Sequence, residues 1–316
     1  MNPVSQETHS VYNPLVSIII GNYNYEKFIA KAIDSALKQT YKNIEVIVVD
    51  DGSTDNSRKI ISSYGDKVIP VFKENGGQPS NYNAGFESSH GDIICFLDSD
   101  DIFVKNKVDR IVSIFESYKD IEWCFHSLQL IDESDKLLGS TTTVNYKSGE
   151  RDYRQILQKG KIPPHIPPCP TLCFTRKLLE KILPMPTTKK MPGSDHYLKF
   201  IAVAISKGFI LAEDLTLQRI HGNNMGTLRE DKLYMRAREY LFTGYWINKN
   251  FASLKKFADK LSSAGIALDW QSGKNDFENS HIIKEYFNSS SLAEKLKINL
   301  IALYYYINNT FLSKFK

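Results

Sequence analysis

The sequence predicts an α/β fold: a mostly parallel central sheet flanked by helices, continued by a helical C-terminal region. Three observations carry this. Short runs that are apolar at nearly every position alternate with stretches whose apolar residues recur at helical spacing, as in parallel strands covered by helices on both faces. Polar clusters close those runs, at residues 21–24, 50–55 and 98–101, the last two rich in carboxylates. Beyond Leu228 the strand pattern gives way to helical stretches with many Lys, Tyr and Phe.

Residues 1–13 form a polar lead. A strand then runs from Leu15 to Ile20 and breaks at Gly21. The helix after it takes Asn24 as N-cap, has Glu26 in its first turn, and gathers Phe28, Ile29, Ala32, Ile33, Ala36 and Leu37 on one face. Residues 44–49 are a second strand, and a shorter helix carries Ile60, Ile61 and Tyr64. A third strand over 67–72 contains Pro70, which removes a ladder donor and places the strand at an edge or a bulge. A turn at 75–78, a helix over 80–88 and a buried strand over 92–97 follow. Strand–helix–strand crossovers of this kind are right-handed, and their ligands bind beyond the C-terminal ends of the strands. The polar clusters, with residues 75–83, are therefore expected along one edge of the sheet.

Further on, the pattern gives a helix over 108–118, a strand over 122–131 and a hairpin turn at 132–135 leading into 136–144. A short helix falls within 151–159. Residues 163–168 hold four prolines and read as an extended loop. Residues 169–174 re-enter the sheet and 177–182 form a short helix. Gly193-Ser194-Asp195 opens a helix whose Leu198, Ile201, Ala202 and Ile205 share a face, with Gly208 as its C-cap. Residues 209–217 are the last strand. The main domain is expected to span 14–227 and the helical extension 228–316. In the extension, Ser291 and Glu294 form a capping box for a final helix. Its apolar stretch, 298–307, is shorter than the roughly 20 residues that cross a bilayer. It is expected to pack on the domain or on a second subunit, or to lie in a membrane interface.

Composition narrows the classes. Of 316 residues 42% are hydrophobic and 24% charged, which predicts an ordered core. A formal charge of +4 makes no case for a nucleic-acid partner and is compatible with anionic lipid or a phosphorylated ligand. The lead lacks the apolar segment of a secretory signal, and the four cysteines are scattered, so reduced thiols and a cytoplasmic location, peripheral to a membrane if attached to one, are expected. His165, Cys169 and Cys173 lie near one another, but their spacing matches none of the paired motifs of zinc sites.

Asp98-Ser99-Asp100-Asp101 carries the densest chemistry. If the chain stays extended, Asp98 and Asp100 project to one side and Asp101 to the other. Two carboxylates on one side repel unless a cation or a donor sits between them. Mg2+ or Mn2+ takes one or two protein carboxylates and fills its other positions with water and phosphate oxygens. The same four residues also read as a solvated acidic turn capping the next helix, and Asp195 as a helix-capping carboxylate.

The motifs, in order, run from Pro14-Leu15-Val16-Ser17-Ile18-Ile19-Ile20 through Tyr23-Asn24, Val48-Val49-Asp50-Asp51-Gly52-Ser53-Thr54-Asp55, Asn75-Gly76-Gly77 and Asn83-Ala84-Gly85 to Phe96-Leu97-Asp98-Ser99-Asp100-Asp101. Together they resemble the family 2 inverting glycosyltransferases, which have the GT-A (nucleotide-diphospho-sugar transferase) fold. The resemblance extends from Pro14 to Asn224 and includes Ser194-Asp195 and Arg219-Ile220-His221. It implies metal-dependent, inverting transfer of a sugar from a nucleotide-diphosphate sugar, a UDP-sugar, to a hydroxyl of a glycan or lipid-linked glycan, with Mn2+ or Mg2+ as cofactor. It also implies that Asp51 accepts a hydrogen bond from the nucleotide base, that Tyr23 lies against the base and that the Gly21 backbone borders it. Asn75, Asn83, Asp98 and Ser99 would complete the donor site. Asp100 would bind the metal, His221 would join it, and Asp195 would be the general base.

This sequence departs from the family pattern at three places. Tyr82 stands where many relatives carry Arg, Gly21 where Pro or Thr is frequent, and Ser194 where Glu is usual. Two alternatives share the architecture. A nucleotidyltransferase would need a basic, Gly-rich loop after the first strand, which residues 21–24 do not supply. A non-catalytic sugar-binding module would have no need to keep Asp51, Asp98, Asp100 and Asp195 together.

Overall fold

The computed structural model describes residues 12–308 apart from 141–146, 164–165, 188–194, 223, 225–230 and 275. Strands β1 (Val16–Asn22), β2 (Ile44–Asp51), β3 (Ile69–Lys73) and β4 (Ile93–Asp98) are joined by helices α1 (Ile29–Leu37), α2 (Ser57–Ser62) and α3 (Gln78–Glu87). They form a parallel half-sheet in the order β3-β2-β1-β4. Strand β3, with Pro70, takes the edge as its sequence requires.

The chain then runs through β5 (Ile102–Phe103), α4 (Lys107–Ser117), β6 (Trp123–Ile131), β7 (Leu137–Ser140), β8 (Gly149–Arg151), α5 (Arg154–Gln158), β9 (Leu172–Thr175), α6 (Arg176–Leu179), α7 (Asp195–Ile205) and β10 (Gly208–Arg219). Strand β9 enters antiparallel between β4 and β6, and β6 runs parallel to β10. The sheet is thus parallel in its first half and mixed in its second. The hairpin expected after residue 131 is present as the β6–β7 pair, with 141–146 outside the described residues. Strand β8, three residues long, had no periodic signal to announce it.

Alternate residues of the strands feed two buried clusters, one on each face. Ile18, Ile20, Val46, Val48, Cys95 and Leu97 join the apolar faces of α1 and α4. Ile19, Ile47, Val49, Ile94 and Phe96 join α7 and two helices of the extension, α8 (Lys232–Asn250) and α9 (Lys255–Ser272). Tyr240, Leu241, Phe257 and Leu261 belong to that cluster, so the extension shares the main core. Helices α10 (Phe277–Asn288) and α11 (Leu292–Ile307) complete it, and the Ser291–Glu294 capping box starts α11 as expected. All four cysteines are buried and free.

Two sequence expectations fail locally. Helix α1 begins at Ile29, not beside Asn24. Asn24 has φ +59°, donates its backbone N–H to Ser53 Oγ at 2.9 Å and accepts Thr54 N–H at 2.8 Å. Glu26 accepts Asn56 N–H at 2.7 Å. These side chains tie the loop after β1 to the loop after β2, so neither is left to cap a helix. Gly208 is the first residue of β10 and not a C-cap, since α7 ends at Ile205. A Cβ at 208 would fall inside the Trp123 indole.

Gly208→Ala should therefore cost about 2 kcal/mol, the range for overpacking a core. Urea unfolding of the two proteins side by side checks it, with an unchanged midpoint ruling out the close approach.

Candidate active site

The acidic stretch is a turn. Strand β4 ends at Asp98, and Asp101 N–H donates back to Asp98 O at 3.1 Å. The expected alternation therefore stops one residue into the motif. Asp101 turns inward, is 2% exposed, and accepts Arg219 N–H at 2.8 Å. The Arg219 side chain is fully buried. Its Nε donates to Asp100 O at 2.9 Å, and its Nη1 to Asp132 O at 2.9 Å and Asp135 Oδ1 at 2.6 Å. The guanidinium lies over the Phe28 ring, 5.0 Å from its centre.

With Asp101 engaged inside, Asp100 faces His221. Their Oδ2 and Nε2 atoms are 3.0 Å apart, and Asn224 Nδ2 reaches the same oxygen at 3.2 Å. The imidazole is held against Phe28 and Tyr25, with ring centres 4.9 and 5.7 Å away. Burial raises the Tyr25 phenol well above its ordinary range, and the charges of Asp100, Asp98 and Asp101 push it further. Burial also pushes the Asp98 carboxyl up to about 7, helped by the charges of Asp100 and Asp195. A divalent cation here would reverse that push. Asp100 and His221 are paired with each other, and among the described residues no three His, Cys, Asp or Glu side chains are grouped to hold a metal ion; the carboxylates beside the imidazole are nonetheless of the type that Mn2+ or Mg2+ takes together with phosphate oxygens.

Asp195 is the first residue of α7 and is mostly buried. Its Oδ2 lies 3.0 Å from Lys199 Nζ and its Oδ1 3.3 Å from His196 Nδ1. The same His196 nitrogen is 3.5 Å from Glu239 Oε2 on α8. Burial alone would raise the Asp195 pKa, but Lys199 and His196 outweigh it and hold the carboxyl well below the usual range. Gly193 and Ser194, the other residues of that motif, lie outside the described residues. The Cys169 thiol sits between the two acidic centres, within reach of Asp98 and 2.8 Å from the Tyr82 hydroxyl. Tyr82, one of the departures from the family pattern, is thus a buried wall residue.

The third part of the site lies at the ends of β1 and β2. Asp51 is buried and takes three donors: Lys73 Nζ and Gly76 N–H on Oδ1, and Gly77 N–H at 2.8 Å on Oδ2. This closes the 75–77 turn over the strand end. It requires Gly52, whose φ is +81° and where a Cβ would stand 2.7 Å from Asn75 N. Tyr23, after the end of β1, is 45% exposed, and Ser99, within the acidic turn, is buried. Gly21 faces Asn81, whose buried Oδ1 has no hydrogen-bond partner among the described residues. Asn83 is placed differently from the expectation. Its amide donates to Met185 O at 2.8 Å and accepts Met185 N–H at 2.7 Å, so it pins the segment after α6 to α3.

Several of these residues escaped the sequence reading. Lys73 comes opposite Asp51 through the β2–β3 register, which the structure sets. Lys199 was findable from its i, i+4 spacing to Asp195. Asn81, Tyr25, Glu239 and the buried role of Arg219 carry no local signal.

Residues 17–183, just over half of the chain, match the model of glycosyl transferase family 2. The chain belongs to that family. An uncharacterized glycosyltransferase of Nostoc sp. is 38% identical over 213 residues, 66% of each chain. Another, of Rickettsia prowazekii, is 45% identical over 132 residues, 41% of each chain. The chain thus spans about two thirds and about two fifths of these relatives. The fold is that of S. aureus TarS in complex with UDP-GlcNAc, at TM-score 0.63 and 17% identity over 93% of this chain and 88% of that one. It is also that of the mannosyltransferase PcManGT of Pyrobaculum calidifontis in complex with GDP-Man and Mn2+, at TM-score 0.55 and 14% identity over 95% and 88%. The GT-A expectation for the fold holds, with the sheet curled and mixed.

The depressed Asp195 pKa has a stability consequence. A carboxylate whose folded pKa lies below its unfolded value of about 4 contributes stability above that value and loses it as pH falls through the folded pKa. Lys199→Met should cost about 3 kcal/mol at pH 7, the scale for stranding one partner of a buried pair. The gap between wild type and variant should narrow at pH 3. Denaturant unfolding at both pH values checks this, and an equal gap at the two would contradict it.

Proposed function

We propose that this chain transfers a sugar from a nucleoside-diphosphate sugar to a hydroxyl of a glycan or lipid-linked glycan at the cytoplasmic face of a membrane, in one inverting displacement. The observation that supports this is convergence. Asp98 and Asp100 from the end of β4, His221 from the end of β10 and Asp195 from α7 meet in one acidic pocket at the strand ends. TarS in complex with UDP-GlcNAc and PcManGT in complex with GDP-Man and Mn2+ share the fold, which supports a donor of this class.

In this reading the acceptor oxygen bonds to the anomeric carbon as the bond from that carbon to the diphosphate oxygen breaks. The hydroxyl proton passes to Asp195, which Lys199 and His196 keep ionised and ready to receive it. Being weakly basic, Asp195 takes the proton late, when the hydroxyl has become acidic through bond formation. Asp100 and His221 would hold Mn2+ or Mg2+, which supplies positive charge to the departing diphosphate. Tyr23, Gly21, Asn75 and the 75–77 turn border the base. Asp51 spends three of its roughly four acceptor positions on that turn and keeps one for an imide N–H such as that of uracil. Asp98 and Ser99 lie towards the ribose, while Asn83 fixes the loop beside the pocket.

Asp195→Asn should bind donor as wild type does and lose transfer by at least about 100-fold, the lower range for general-base removal. Turnover within tenfold of wild type would remove Asp195 from that role. Asp100→Ala should abolish the difference between calorimetric titrations of UDP in Mn2+ and in EDTA. A persisting metal dependence would place the cation elsewhere.

A further inference from the structure

Helix α11 is apolar on two sides. Ile298, Ala302 and Tyr305 face inward and are buried. The opposite side presents Leu292, Leu296, Leu300, Leu303 and Ile307, which are 46–76% exposed and recur at three- and four-residue spacing. A single exposed leucine means nothing, but five in a continuous helical stripe form a patch that water disfavours. The stripe borders an open groove of about 750 Å³ whose lining includes Lys260 and Lys297. Among the described residues no helix is long and apolar enough to cross a membrane.

Charge decides what covers the stripe. From Lys295 to Lys316 the sequence carries four lysines and neither Asp nor Glu, and its apolar character continues in Phe311, Leu312 and Phe315. Lys297 is exposed within the stripe itself. A two-fold contact between copies of this chain would set the same patch against itself and bring these lysines together. Anionic lipid meets both demands, taking the leucines at the acyl boundary and the ammonium groups at the phosphates. Tyr304 and Tyr306, both exposed, are residues that favour the headgroup level.

We propose that α11 lies flat on an anionic bilayer, its Leu292–Ile307 stripe entering the lipid boundary with Lys297 and Lys260 at the headgroups. This stands apart from the transfer chemistry, because α11 contributes no residue to the acidic pocket.

The test is co-sedimentation of the full chain with vesicles of phosphatidylcholine alone and of phosphatidylcholine with one quarter phosphatidylglycerol, at low salt. Wild type should pellet with the mixed vesicles at least tenfold more than with the neutral ones. The double variant Leu296→Ser, Leu300→Ser should lose that binding. Lys297→Glu should weaken it at least fivefold, as one lysine near an anionic surface contributes about that much and the reversal adds repulsion. These side chains are exposed, and circular dichroism confirms that each variant is folded. No pelleting with mixed vesicles, or equal pelleting with both kinds, would overturn the proposal. So would a dimer in sedimentation equilibrium that the double variant dissociates, since a second copy would then own the face.

Discussion

A guanidinium with no exposed surface cannot remain unpaired, and Arg219 organises this molecule by that requirement. It ends β10, the long strand of the second half-sheet, and faces the end of β4. Its donors reach the carbonyl of Asp100, the turn after β6 and the Asp135 carboxylate, while its backbone N–H fixes Asp101. Two separate loops, residues 98–101 and 132–135, are thereby held to the end of β10. The Phe28 ring is part of the same arrangement, lying under the guanidinium and against the His221 ring. The position of Asp100 opposite His221 follows from these contacts, while the buried Arg219 Nη2 has no hydrogen-bond partner among the described residues.

The pocket that results has excess negative charge on one side and compensated charge on the other. Asp98 has Asp100 close by, and burial first, then the neighbouring charges, raise its pKa. Asp195, a neighbour of Asp98, is instead depressed, because Lys199 and His196 lie against it. Two carboxyls in one pocket are thus pushed in opposite directions by their surroundings.

The helical extension is part of this arrangement. Tyr240, Leu241 and Phe257 share the core with Ile19 and Phe96, so α8 and α9 form a wall of the main domain. Glu239 of α8 reaches His196, which touches Asp195. The face of the extension turned inward therefore supports the pocket. Its far side, on α11, is free to meet another surface.

The sequence by itself determined the strands of the first half-sheet to within about two residues at each end. Strands β1, β2 and β4 are apolar at most positions, and the turns between the elements carry Gly, Asn and Asp. The motifs at 50–55 and 98–101 were legible for the same reason, since strand ends set their spacing locally. Asn24 was misread because its side chain serves a loop 30 residues away. Asp98 and Asp100 were expected on one pleat, but Arg219, 118 residues beyond Asp101, turns the chain at the strand end. The pairing of Asp195 with His196 and Lys199 is local and could be read from a helix. The approach of Glu239, the commitment of Asn83 to Met185 and the meeting of Asp100 with His221 could not. Each joins residues about 40 to 120 positions apart. Periodicity describes which face of an element is buried, whereas the partner across that face is chosen by how two sheets' worth of side chains pack at once.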